Sequence, residues 1–177
     1  QEKELTKKDE SKKEKTFEEV TKQSKLIEGL FDIYQDTISG KIQMLIKDEQ
    51  LNKDFIYGSQ IADGIVQAGG FRGLYNQEKI INFKKFFDRI EISFQNTNFF
   101  FDENNPLYRS REANISDAVI SSSKIDFHDK ESGTYLINAN DLFLSESLTR
   151  VKPPSRPNQS RTAFNLGSLD KQKSKIL

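Results

Sequence analysis

Leu30-Phe31-Asp32-Ile33-Tyr34 and Ile42-Gln43-Met44-Leu45-Ile46, joined through Asp36-Thr37-Ile38-Ser39-Gly40, are the stretch on which the reading of this fold turns. In both runs the apolar residues recur with a period close to two, the spacing that puts one face of a strand against a core. The segment between them is a turn, with Gly40 where a positive φ is required. The pair predicts an antiparallel β-hairpin. Outward from it, Lys47 to Asp54 reads as a short helical turn or loop, and Phe55 to Ile61 as a third strand that Ala62, Asp63 and Gly64 end. Residues 62–78 carry Gly64, Gly69, Gly70 and Gly73 and read as a long exposed loop or two irregular segments. Ile80 to Phe86 and Ile90 to Phe94 form a second hairpin around Phe87, Asp88 and Arg89. Phe99-Phe100-Phe101 predicts a strand covered on both faces that stops at Asp102-Glu103-Asn104-Asn105-Pro106. After a polar, irregular stretch over 107–117, Ala118 to Phe127 and Thr134 to Asn138 pair around a turn from His128 to Gly133. A short helix follows, with Asn138 or Asn140 as N-cap and Leu142, Phe143 and Leu144 as its apolar side. The fold class is mainly β with short helices (α+β): antiparallel hairpins in a curved sheet or partial barrel.

The flanks of this β-rich region, residues 26–150, are polar. Only 34% of the chain is hydrophobic, and adding its nine glycines still leaves it below the roughly 45–50% of a globular domain. Residues 1–25 form a charged tether of alternating lysines and carboxylates, with Leu5, Phe17 and Val20 too few to offset the entropy of ordering. Disorder is expected to about residue 15, after which Thr16 caps a short helix with Glu19 in the capping-box position. Residues 151–177 read as a linker marked by Pro153, Pro154, Pro157 and Ser155, then the first step of a strand at Lys175-Ile176-Leu177. With 27 basic and 27 acidic residues the net charge is zero, which removes the long-range attraction on which nucleic-acid and anionic-membrane binders rely. No apolar run is long enough for a transmembrane segment, and no signal peptide is present. A start at Gln1 fits a mature form or a piece of a longer protein. Zero cysteines exclude disulfides and thiolate zinc sites.

Candidate chemistry is sparse. Zinc hydrolysis needs two imidazoles on one helix face with a carboxylate between them, and the chain has one histidine, His128. With Asp126, Asp129 and Glu131 it offers an Asp-x-His-Asp-x-Glu pattern, read as a solvated turn and not a metal site. No serine near His128 sits in a G-x-S-x-G elbow. Carboxylate-only glycoside hydrolysis needs just two acids, and 27 of them select nothing. Gly69-Gly70-Phe71-Arg72-Gly73 lacks the Gly-Lys-Ser/Thr of a phosphate loop, and Asp102-Glu103-Asn104-Asn105 lacks the spacing and distal glutamate of a calcium loop. Fourteen phenylalanines interleaved with Lys84, Lys85 and Arg89 suggest a base-stacking sheet, but core packing is the better account. The sequons at Asn114 and Asn158 carry no functional reading. No catalytic, cofactor-binding or metal residue is assigned.

The order of segments is informative beyond any motif. Ile27-Glu28-Gly29-Leu30-Phe31, Gly40-Lys41, Asp54-Phe55-Ile56-Tyr57, Ser59-Gln60-Ile61-Ala62-Asp63-Gly64, Gly69 to Gly73, Phe87-Asp88-Arg89-Ile90-Glu91, Ala113 to Ala118 and Asp141-Leu142-Phe143-Leu144-Ser145 resemble the N-terminal region of large bacterial zinc-dependent metallopeptidases, in which two adjoining domains of unknown function precede the catalytic domain. The likeness runs from about Thr16 to Leu177. It implies a hydrolase exported to the periplasm, the outer-membrane surface or the medium, with zinc held by an H-E-x-x-H site downstream of Leu177 and no cofactor in this chain. Its partner would be that downstream peptidase domain, and this region would be a non-catalytic accessory or pro-region-like module, marginally stable alone. The alternatives are an independent cell-envelope module for peptide or glycan, and a free-standing carboxylate hydrolase.

Overall fold

The computed structural model describes residues 16–66, 70–110, 115–150 and 167–177. Within these residues eight strands, all paired antiparallel, form a single curled half-barrel sheet. They are β1 (Ser24–Ile27), β2 (Asp32–Asp36), β3 (Ile42–Lys47), β4 (Asp54–Gln60), β5 (Tyr75–Phe86), β6 (Arg89–Phe94), β7 (Ala118–Asp129) and β8 (Thr134–Asn138), in the spatial order β1-β2-β3-β8-β7-β6-β5-β4. Among the described residues two short helices, α1 (Phe17–Thr21) and α2 (Asn140–Phe143), accompany the sheet.

The opening hairpin is β2–β3, registered Ile33 to Met44 and Gln35 to Ile42. Gly40 closes its turn at φ +69°, and Asp36 accepts hydrogen bonds from the amides of Ile38 and Ser39. Ile42, Met44 and Ile46 alternate into the core, as the period of two requires. The second hairpin, β5–β6, turns on two residues, with Phe87 at φ +50° and Phe86 paired to Arg89. Thr16 and Glu19 complete a reciprocal capping box at α1, whose Phe17 ring meets Tyr34 and Phe127 at 5.4 Å each.

Curvature comes from β7. Its first half pairs with β6 and its second half with β8, so one strand joins two leaves of sheet end to end. The register slips at Ile120 against β6 and at Asp126 against β8, each an extra residue that bends and twists the strand. The result brings the far edge of the sheet around: Phe55 of β4 stands 4.9 Å from Phe31, just before β2, and both rings contact the buried Phe83 of β5. Gln50 ties the same seam, donating to Leu30 O at 2.6 Å and accepting from the Lys47 amide. The core of Ile46, Phe83, Ile90, Ile92, Leu136 and Ile137 is almost entirely shielded from water.

Several local expectations change. Phe99-Phe100-Phe101 forms no strand, and Phe99 and Phe100 are 58% and 93% exposed. Strand propensity alone does not make a strand of this segment, which pairs with none of the described strands. The loop after β4 ends at Leu74, since Tyr75 and Gln77 already pair with Gln60 and Ser59. Ser24–Ile27, which carries no clear alternation, is nevertheless a strand held by β2. The N-cap of α2 is Ala139; Asn140 is the first helical residue and uses its side chain to accept from the Ile42 amide, while Asn138 accepts from the Asn140 amide. Lys175-Ile176-Leu177 is not a strand: Ile176 packs on the core, and its carbonyl accepts from Gln35. The disorder expected to residue 15, the proline linker, Gly69 and both sequon asparagines lie outside the described residues.

Candidate functional site

An open groove of about 1260 Å³ lies on the inner side of the β4–β7 leaf. Strand alternation aims Tyr57 and Ser59 of β4 into it, and Phe94 of β6 and Ile120 of β7 form its apolar floor. The segment from Phe143 to Arg150 makes the opposite wall, with Leu169 beside it. That wall is fastened by hydroxyls: Thr149 Oγ1 lies 2.7 Å from Tyr57 Oη and donates to Ser59 Oγ at 3.1 Å. Since threonine carries a single hydroxyl proton, the proton between Thr149 and Tyr57 belongs to Tyr57. Glu146 holds the returning chain by accepting from the Leu169 amide at 2.8 Å, and Asp141 pairs with Lys171 at 2.7 Å.

The groove therefore presents an apolar floor with polar groups from Gln60, Gln77, Lys79 and Glu146 at its margins. Such a lining suits a ligand with both apolar and hydrogen-bonding parts. Among the described residues no imidazole or carboxylate is hydrogen-bonded to the Tyr57-Thr149-Ser59 chain.

The second cluster of titratable groups is built on the β7–β8 turn. His128 lies inside β7 and not in a solvated turn: its ring stacks on Tyr135, its partner in register, at 4.5 Å and 18°. Tyr135 Oη donates to Asp48 Oδ1 at 2.6 Å, and Lys85 Nζ sits 5.3 Å from the Tyr135 ring centroid. Burial pushes the Tyr135 phenol up to about 12, helped by the Asp48 carboxylate. Gly133 makes this geometry possible. It takes φ +60°, and a Cβ there would stand 2.6 Å from Asp48 Oδ2.

The other sequence-level candidates are dispersed. Asp126 accepts from Gln43 Nε2 at 2.9 Å, while Asp129 accepts from the Glu131 amide and from Ser132 Oγ. Among the described residues no three His, Asp or Glu side chains gather as a metal-ligating group. Asp102 is spent on its own turn, accepting from Asn104. The groove and the Asp48–Tyr135 bond were invisible in the sequence, because their partners are 92 and 87 residues apart and no local pattern marks them.

No helix among the described residues is long and apolar enough to cross a membrane. No curated protein and no solved structure matches this chain. The profile of a family described as a domain of unknown function (DUF5117) matches residues 73–177, from just before β5 to the last residue, and on this match over more than half of its length the chain belongs to that family.

Proposed function

We propose that this chain is a non-catalytic N-terminal accessory or pro-region-like domain of an exported bacterial zinc-dependent metallopeptidase, and that it packs against the downstream catalytic domain through the open side of its half-barrel. The observation that carries the reading is the unclosed edge. Among the described residues β4 pairs with β5 on one side only, and beside that edge Ile56 and Tyr75 are 87% and 72% exposed. A bare strand edge with apolar neighbours is a liability unless another element covers it. The segment resemblance supplies the identity of that element, and a chain with a single histidine leaves the zinc chemistry to it.

Reading the gene past Leu177 is the first test, and an H-E-x-x-H segment in the same frame is expected. In the full-length protein, hydrogen exchange at the β4 amides should be slower than in the 177-residue chain. A frame that closes soon after Leu177, or β4 amides equally open in both forms, rejects the reading.

The groove favours one other reading, an envelope-binding module for peptide or glycan, because its mixed lining suits either polymer. Saturable binding of an envelope polymer that Tyr57→Ala abolishes would select this reading over the first.

A further inference from the structure

The tip of the β5–β6 hairpin spends stability without a structural return. Phe87 occupies the first central position of a two-residue turn at φ +50° and is 96% exposed, so its side chain neither packs nor relaxes the backbone. Glycine is the residue that fits this position freely. A bulky side chain held there in water is an outlier of the kind that accompanies function. Phe86, beside it, is 48% exposed and closes the strand.

Cations outnumber carboxylates around the two rings. Register places Phe86, Arg89 and Lys124 in one transverse row across β5, β6 and β7. Arg89 is held in place by donating to Ser122 Oγ and Ser122 O, and Lys124 is exposed. Lys85 adds a third cation from the other face of β5. Against these stands Asp88 within the turn; one row back Lys84 faces Glu91 in register and pairs with Asp117 at 3.6 Å, and Asp126 faces Gln43. A chain of zero net charge thus gathers an excess of cations at a turn that also exposes two adjacent phenylalanines.

We propose that the β5–β6 tip is a membrane-docking wedge for anionic lipid surfaces, Phe86 and Phe87 entering the headgroup–acyl boundary while Lys85, Arg89 and Lys124 meet the lipid phosphates. Apolar insertion joined to interfacial cations is the combination that holds a protein on a bilayer without spanning it. A two-residue tip is too narrow to be a base-stacking platform, which needs successive aromatics along an open groove. The inference stands apart from the accessory-domain reading and does not require it.

Sedimentation of the 177-residue chain with vesicles tests it. Binding is expected to phosphatidylcholine vesicles doped with phosphatidylglycerol, weakening as salt rises, and much less to phosphatidylcholine alone. Phe87→Gly should reduce binding by roughly tenfold while leaving the melting temperature equal or higher, because it removes the wedge and relaxes the turn together. Lys124→Gln should reduce binding by about fivefold. The proposal is overturned if the wild-type chain ignores the doped vesicles, if it binds neutral vesicles equally well, if both variants bind as the wild type does, or if the tip binds a single-stranded oligonucleotide but no vesicle.

Discussion

Tyr135 joins polar groups of β7 and of the turn after β3 through a single side chain that is 5% exposed: its ring carries His128, and its hydroxyl holds Asp48. Folding favours the neutral phenol, since the folded pKa of about 12 exceeds the ordinary 10.0. The sign follows from linkage. Its stabilising contribution is complete below the unfolded value and is lost as pH rises from about 10 toward about 12. Tyr135→Phe should cost about 1–2 kcal/mol near neutral pH by removing the bond to Asp48, and denaturant melts through that alkaline window should lose most of their pH dependence. An unchanged alkaline slope in the variant would show that another group titrates there. Sequence reading placed His128 in a turn because Asp129 to Gly133 are turn formers. The strand in fact runs two residues beyond Phe127, to Asp129, because β8 supplies hydrogen-bonding partners that no local rule anticipates.

The hairpins were legible because their turns use local chemistry. In β2–β3, Asp36 accepts from Ser39 N at 2.5 Å and Ser39 Oγ at 2.8 Å; in β7–β8, Asp129 accepts from Ser132 Oγ at 2.6 Å. Hydrogen bonds from Ser39 hold Asp36 below its ordinary 3.8, and those from Ser132 and the Glu131 amide do the same for Asp129. For a depressed carboxylate the stabilising contribution exists above the unfolded value and disappears as pH falls through the folded one. Acid melts should therefore lose stability below about pH 4, and an Asp36→Asn, Asp129→Asn double variant should show a shallower acid limb. An acid limb as steep as that of the wild type would remove these two turns from the account. Phe99 to Phe101 failed by the same standard: three aromatics give strong propensity, but no turn returns a partner strand to them.

At the scale of the whole molecule, the unpaired edge of β4 dominates what the isolated domain does. Ile56 makes almost no contact with the core, so Ile56→Lys should alter stability by less than about 0.5 kcal/mol while lowering concentration-dependent self-association measured by light scattering. Equal association of both forms would place the sticky surface elsewhere, with Phe100 the next exposed ring. The sequence alone determined the β class, the principal hairpins, the α1 capping box and the single histidine, because alternation, turn residues and residue counts are local or compositional properties. Tertiary structure alone decided the order of the eight strands, the two bulges of β7 that curl the sheet, the groove sealed by Tyr57 and Thr149, and which phenylalanines stay in water. Those features depend on which distant edges meet, and pairing across 90 residues leaves no periodic trace in a chain.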